Sequence, residues 1–228
     1  MQENSSVAKR EREELRELID RVFDQLVKWL REGSDTAKNP VDWPWEVEIE
    51  ESEDFKVARA FHPNAMLELQ VAADYPNGLI RLVLDPLYPT KFLNNDERLK
   101  LYYSLLRMNV ETGLVKAALV GDDDGVVFVA DLDPKSLGKA EFNDAIEQLY
   151  LAAGAFVKAV GWEDEVSKIF METVASLLLD KIEKGASREE IIGYLTTKLK
   201  LSREEAERIA DALFAEVKGQ RGRVQMTL

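Results

Sequence analysis

Apolar positions along this chain recur with two periods, and each period marks a block. From Glu11 to Glu32 the apolar residues are Leu15, Leu18, Ile19, Val22, Phe23, Leu26, Val27 and Leu30, a 3–4 spacing that predicts an amphipathic helix. The ten residues before it are polar and are expected to fray or stay disordered. Gly33 stands where a left-handed helix cap belongs. After a loop with two prolines, the period drops to two. Trp45, Val47 and Ile49 alternate with Glu46, Glu48 and Glu50, the pattern of a half-buried strand. Acidic residues Glu50 to Asp54 would turn the chain into a second strand, Phe55 to Phe61. A third, Met66 to Ala73, turns at Tyr75-Pro76-Asn77-Gly78 into a fourth, Leu79 to Leu84. Pro86 and Pro89 are expected to end that run, because proline cannot donate to a ladder.

The block from Asn95 to Gly161 reads helix, strand, tight hairpin, strand, helix. Asn94 and Asn95 offer caps for a helix over Asp96 to Thr112. Val115 to Val120 and Val126 to Asp131 flank the turn Gly121-Asp122-Asp123-Asp124-Gly125. Two strands this apolar imply a central place in the sheet. The closing helix, Lys139 to Val160, has one apolar stripe and stops at Gly161. From Trp162 onward the periodicity is helical only. Ser187-Arg188-Glu189-Glu190 and Ser202-Arg203-Glu204-Glu205 repeat one tetrapeptide, which is a capping box opening each of two short helices. Gly219 to Leu228 reads as a loose tail. The expected architecture is α+β, an antiparallel sheet with helices packed against it over residues 1–161. An all-α domain over 162–218 and a flexible tail over 219–228 would follow.

Charge narrows the function classes. The 228 residues hold 30 basic and 43 acidic side chains, a net charge of −13. From Trp162 onward there are 11 basic and 13 acidic residues, so nearly all the acidity belongs to the α/β part. A nucleic-acid surface needs a basic stripe, and an anionic membrane would repel this chain. There is no cysteine and one histidine, His62. That excludes thiolate sites and leaves no material for a multi-histidine metal centre or a serine–histidine triad. The N-terminus lacks the apolar core of a signal peptide, and no stretch is long enough to span a membrane, so a cytoplasmic location is expected. Abundant Glu, Lys and Arg fit a thermophile.

The candidate chemistry is sparse. Asp122, Asp123 and Asp124 could ligate a hard cation but lack the spaced oxygens of a calcium loop, and Asp and Gly are hairpin residues. Glu46, Glu48, Glu50, Glu51, Glu53 and Asp54 could hold a carboxylate pair, yet their alternation suits a solvated strand that resists edge-to-edge pairing. His62 has no neighbouring nucleophile. Trp43 and Trp45 flank Pro44 and are either core or anchors of a protein-binding groove. No cofactor is expected. On the helix over Asp96 to Thr112, Leu99, Tyr102, Tyr103, Leu106 and Val110 form one stripe and Leu101, Leu105 and Met108 another. One sheet face covers one stripe. The second, assigned to Leu101, Leu105 and Met108, is expected to pair two copies into a homodimer, unless the C-terminal helices cover it. Those helices loosely resemble a helix-turn-helix or a small ubiquitin-binding bundle.

The element order, LVKWLREG at Leu26 to Gly33, LYYSLLRMNVETGLVKAAL at Leu101 to Leu119 and GVVFVADLD at Gly125 to Asp133 resemble YbjN-like proteins, including archaeal relatives, and the type III secretion chaperone fold. The resemblance covers residues 11–161, with one strand more than the simplest version. It implies a non-catalytic, dimeric protein that holds segments of a partner protein. A structural or adaptor subunit docking through the C-terminal helices is the alternative, and an acidic-site enzyme the third.

Overall fold

The computed structural model describes residues 2–52 and 55–225, with side chains described for 10–52 and 55–217. Glu53 and Asp54 of the expected acidic turn, and the side chains of the expected tail, lie outside these residues. The chain divides into two units, Met1–Val166 and Ser167–Leu228. The fold is α+β: a six-stranded antiparallel sheet with helices, followed by a helical C-terminal region.

Helix α1 is Gln2–Arg31, so the helix begins far ahead of Glu11. Its first turns were expected to be disordered for want of apolar residues, but Glu, Lys, Arg and Ala are good helix formers. Strands β1 (Glu46–Glu51), β2 (Lys56–Phe61), β3 (Leu69–Asp74) and β4 (Leu79–Pro89) follow, then α2 (Asn95–Glu111), β5 (Val115–Val120), β6 (Gly125–Leu132) and α3 (Lys139–Val160). The sheet order is β1-β2-β3-β4-β6-β5. Ile19, Phe23, Leu26 and Leu30 of α1 and Phe142, Ile146 and Leu149 of α3 share one core with Leu69, Ile80, Leu82, Leu84, Phe128 and Leu132 of the sheet. Each of these side chains is 1% exposed or less.

Three local expectations change. Gly33 is not left-handed. It is glycine because a Cβ there would sit 2.1 Å from the Trp43 carbonyl, where the loop folds back on the helix end. Strand β4 runs through Pro86 to Pro89. The register shifts between Leu84 and Tyr88, where Leu87 takes φ 52°, and Tyr88 resumes pairing opposite Val126. Proline fits because β3 pairs no further along β4 than Leu84 and the shift absorbs the missing donor. Lastly, β6 is central but β5 is an edge strand.

Helix α2 closes that edge. Its N-terminus carries a capping box between Asn94 and Glu97. At its other end the Asn109 amide donates to the Ala117 carbonyl at 3.1 Å and accepts from the Ala117 N–H at 2.7 Å. One side chain thus serves both the donor and the acceptor of Ala117 on β5. Lys116 Nζ answers by donating to the Asn109 and Thr112 carbonyls at 3.3 and 3.2 Å, at the negative end of α2.

The second unit takes most of α4 (Glu163–Glu183), then α5 (Arg188–Thr197) and α6 (Arg203–Gln225). Helix α6 is long rather than short and takes in much of the expected tail. Leu178, Ile191, Leu195, Ala206 and Ala210 are buried. Both repeated tetrapeptides are capping boxes: Ser187 with Glu190, and Ser202 with Glu205. Arg188 forks onto Asp211 at 2.6 and 3.1 Å, tying α5 to α6.

Two substitutions test these devices. Asn109→Ala should lower stability by about 1–2 kcal/mol in urea unfolding, because Ala117 at the edge of β5 loses both partners. An unchanged midpoint would show that water serves the edge equally well. Ser187→Ala should cost about 1 kcal/mol of thermal stability, the usual worth of a helix N-cap. The Glu190 carboxyl is held below its ordinary pKa by the Ser187 backbone N–H and hydroxyl. Its contribution is therefore present above the ordinary carboxylate range and lost as pH falls through the lowered pKa.

Candidate protein-binding surfaces

The two tryptophans part company. Trp45 is 4% exposed, its Nε1 donates to the Pro40 carbonyl at 2.7 Å, and it belongs to the core. Trp43 is half-buried. Its Nε1 donates to the Ala37 carbonyl at 3.2 Å and its ring stacks 4.8 Å from His62. Trp43 lines a cleft of about 410 Å³ with Lys38, Glu147, Tyr150 and Leu151. Leu151 stands 73% exposed on an otherwise well-packed helix. His62 is buried just past the end of β2, and its Nδ1 accepts from the Asn64 N–H at 3.1 Å. Tyr150 donates to the Leu67 carbonyl at 2.7 Å, and burial, then the charge of Glu68, push its pKa well up, so it stays a neutral phenol.

On α2 the two apolar stripes face the opposite way to expectation. Leu105 is in the core, with Leu101 and Met108 packed against it. Tyr102 also turns inward, its hydroxyl 2.7 Å from Thr90 Oγ1. The outward stripe is Leu99, Tyr103, Leu106 and Val110, exposed by 70%, 63%, 66% and 86%. Helical spacing showed that two stripes exist. Which one turns inward depends on how α2 seats on β5, where Asn109 is bonded to Ala117.

The hairpin aspartates serve the turn. Asp124 takes φ 49°, its carbonyl accepts from Thr90 Oγ1, and its carboxylate pairs with Arg98. Among the described residues, no three His, Cys, Asp or Glu side chains converge as metal ligands would. Glu46, Glu48 and Glu50 lie on an edge strand, where Glu50 meets Arg59 at 3.4 Å and Arg31 donates to the Val47 carbonyl at 3.0 Å.

A third surface was missed. Register places Gln70 beside Val83, Val83 beside Val129, and Ala118 beside Val127 on the face of the sheet away from the core. They line a cleft of about 440 Å³. Its sequence signal was the near-continuous apolar run Val126 to Ala130, which marks a strand apolar on both faces. Across this face Arg81 is clamped between Asp74 at 3.2 Å and Asp131 at 2.7 Å. Asp85 and Glu68 are half-buried, and burial raises the pKa of each. For Glu68 the nearby Arg59 opposes the shift, and Glu48 and Glu50 reinforce it.

A carboxyl whose folded pKa is raised weakens the fold once it ionises. Glu68→Gln should therefore raise stability in urea at pH 7. The gain should shrink as pH falls toward about 4, where the native carboxyl protonates as well. A gain equal at both pH values would trace the effect to packing rather than charge.

No curated protein matches the chain. Residues 161–223 match a family named HTH_78, described as a domain of unknown function. Residues 25–160, more than half of the chain, match another family description. The chain belongs to the family described as "Domain of unknown function (DUF8183)".

Proposed function

We propose that this protein is a non-catalytic, chaperone-like binding protein that holds segments of a partner protein and works as a homodimer. The observation that carries it is the outward stripe of α2. Exposed by 63–86%, the four residues together offer on the order of 500 Å², the size of a functional apolar patch. Two copies would then bury about 1,100 Å² at most, near the lower limit of a specific interface. The stripe is also self-complementary. About a two-fold axis between Tyr103 and Leu106, Leu99 of one copy meets Val110 of the other, and Tyr103 meets Leu106.

The Trp43 cleft supports the holding role, with an aromatic wall, an exposed leucine at its rim and the opposite charges of Lys38 and Glu147 beside it. The element order of helix, strands, helix, hairpin and helix supports the likeness to YbjN-like proteins and secretion chaperones. The cytoplasm is the compartment this reading assumes. An adaptor that docks through the second unit is the alternative, favoured by Met171, which is 50% exposed on α4.

Leu106→Glu tests the dimer. Wild type should scatter light as two chains at tens of micromolar and the variant as one, with unchanged circular dichroism because Leu106 is exposed. A wild type that measures as one chain at that concentration overturns the dimer. For holding, the protein should suppress aggregation of an unfolded client without nucleotide, and Leu151→Asp should weaken this. One stoichiometric folded partner and no suppression would favour the adaptor.

A further inference from the structure

Helices α1 and α3 both pack on the core face of the sheet, and α2 lies beside β5. Within the first unit, no described helix lies over the other face. The apolar strip there is continuous, because register sets Val83, Val127, Val129 and Ala118 side by side across β4, β6 and β5. Val127 is itself buried, so Val83, Val129 and Ala118 carry the accessible part of the strip. Val120, 46% exposed, ends it at the rim.

The charges around the strip say what it fits. Its bases are engaged: Arg59 on Glu50, Arg81 on Asp74 and Asp131, and Lys116 on the last carbonyls of α2. Glu48, Glu68 and Asp85 have no ion-pair partner at salt-bridge distance among the described residues. Two of these carboxyls are half-buried and bear the burial penalty described above. A purely apolar occupant would bury them further with no counter-charge, which is costly. A nucleic acid or an anionic membrane would meet like charge. A cationic group held over an apolar strip satisfies both constraints.

We propose that this open sheet face docks an amphipathic basic segment of a partner protein, its apolar side chains on Val83 and Val129 and a lysine or arginine against Asp85 and Glu68. This rests on the reading that the protein holds partner segments, but on a surface separate from α2 and Trp43.

The test uses the full chain with valine methyls labelled for NMR. The probe is an amphipathic peptide of leucine and lysine, about 14 residues long, compared with its leucine–glutamate counterpart. The lysine peptide should shift the methyls of Val83 and Val129, and the glutamate peptide should not bind. Asp85→Asn and Val120→Lys together should weaken the lysine peptide by about tenfold or more. Both positions tolerate change, since Asn still accepts from the Leu87 N–H and Val120 lies at the rim. Unchanged affinity in the double variant would overturn the proposal. So would methyls of Val83 and Val129 already shielded from solvent in the free chain by its own helices, or shielded only on concentration by a second copy. Binding that instead maps to the Trp43 cleft and falls with Leu151→Asp would overturn this face and leave the binding function standing. A peptide that binds nowhere on the protein would count against both.

Discussion

A sheet packed by helices on one face must place its whole core there, and this single constraint orders the first unit. Strands β2, β3, β4 and β6 each send alternate residues into the layer beneath α1 and α3, where Phe23, Phe128 and Phe142 are fully buried. The other face is then left to side chains that answer to solvent or to a partner. Had β6 alternated strictly, that face would be polar. Val127 and Val129 break the alternation and give it an apolar floor.

Both edges of the sheet are managed, by different physics. At β1 the means is charge: four glutamates along the strand and Arg31 on the Val47 carbonyl. At β5 the means is a hydrogen-bonded lid, the Asn109 amide on Ala117. The lid fixes the rotation of α2, and that rotation sends Leu105 into the core and Leu99, Tyr103, Leu106 and Val110 outward. A stability device at one strand edge thereby accompanies an exposed apolar stripe on the same helix. Electrostatics adds a second tension. Burial disfavours the charged forms of Glu68 and Asp85, which makes the open face receptive to positive charge.

Element identity and order were legible in the sequence wherever period and punctuation agreed. Helix α3 matches its sequence-based bounds, ending at Gly161 with φ 67°. The capping boxes at Ser187 and Ser202 carry their own mechanism. Legibility failed where tertiary context decides. Pro86 reads as a strand terminator, and only the register shift beside Leu87 shows why β4 continues. Gly33 reads as a left-handed cap, but its role comes from the close approach of Trp43, remote in pattern though near in sequence. The strand pair of β5 and β6 reads as central, and only the sheet order shows that one of the two is an edge. For the candidate surfaces, Trp43 was visible and Leu151 was not, because one exposed leucine on an amphipathic helix has no sequence signature.

The central claim is that this fold keeps two apolar surfaces in reserve, one for its own copy and one for a partner. Solvent paramagnetic relaxation of leucine and valine methyls, recorded on the full chain from low to high concentration, tests it most directly. The account predicts that Leu99, Leu106 and Val110 become shielded as concentration rises, while Val83 and Val129 stay accessible throughout. Shielding of Val83 and Val129 at every concentration, with the α2 stripe accessible at every concentration, would contradict it.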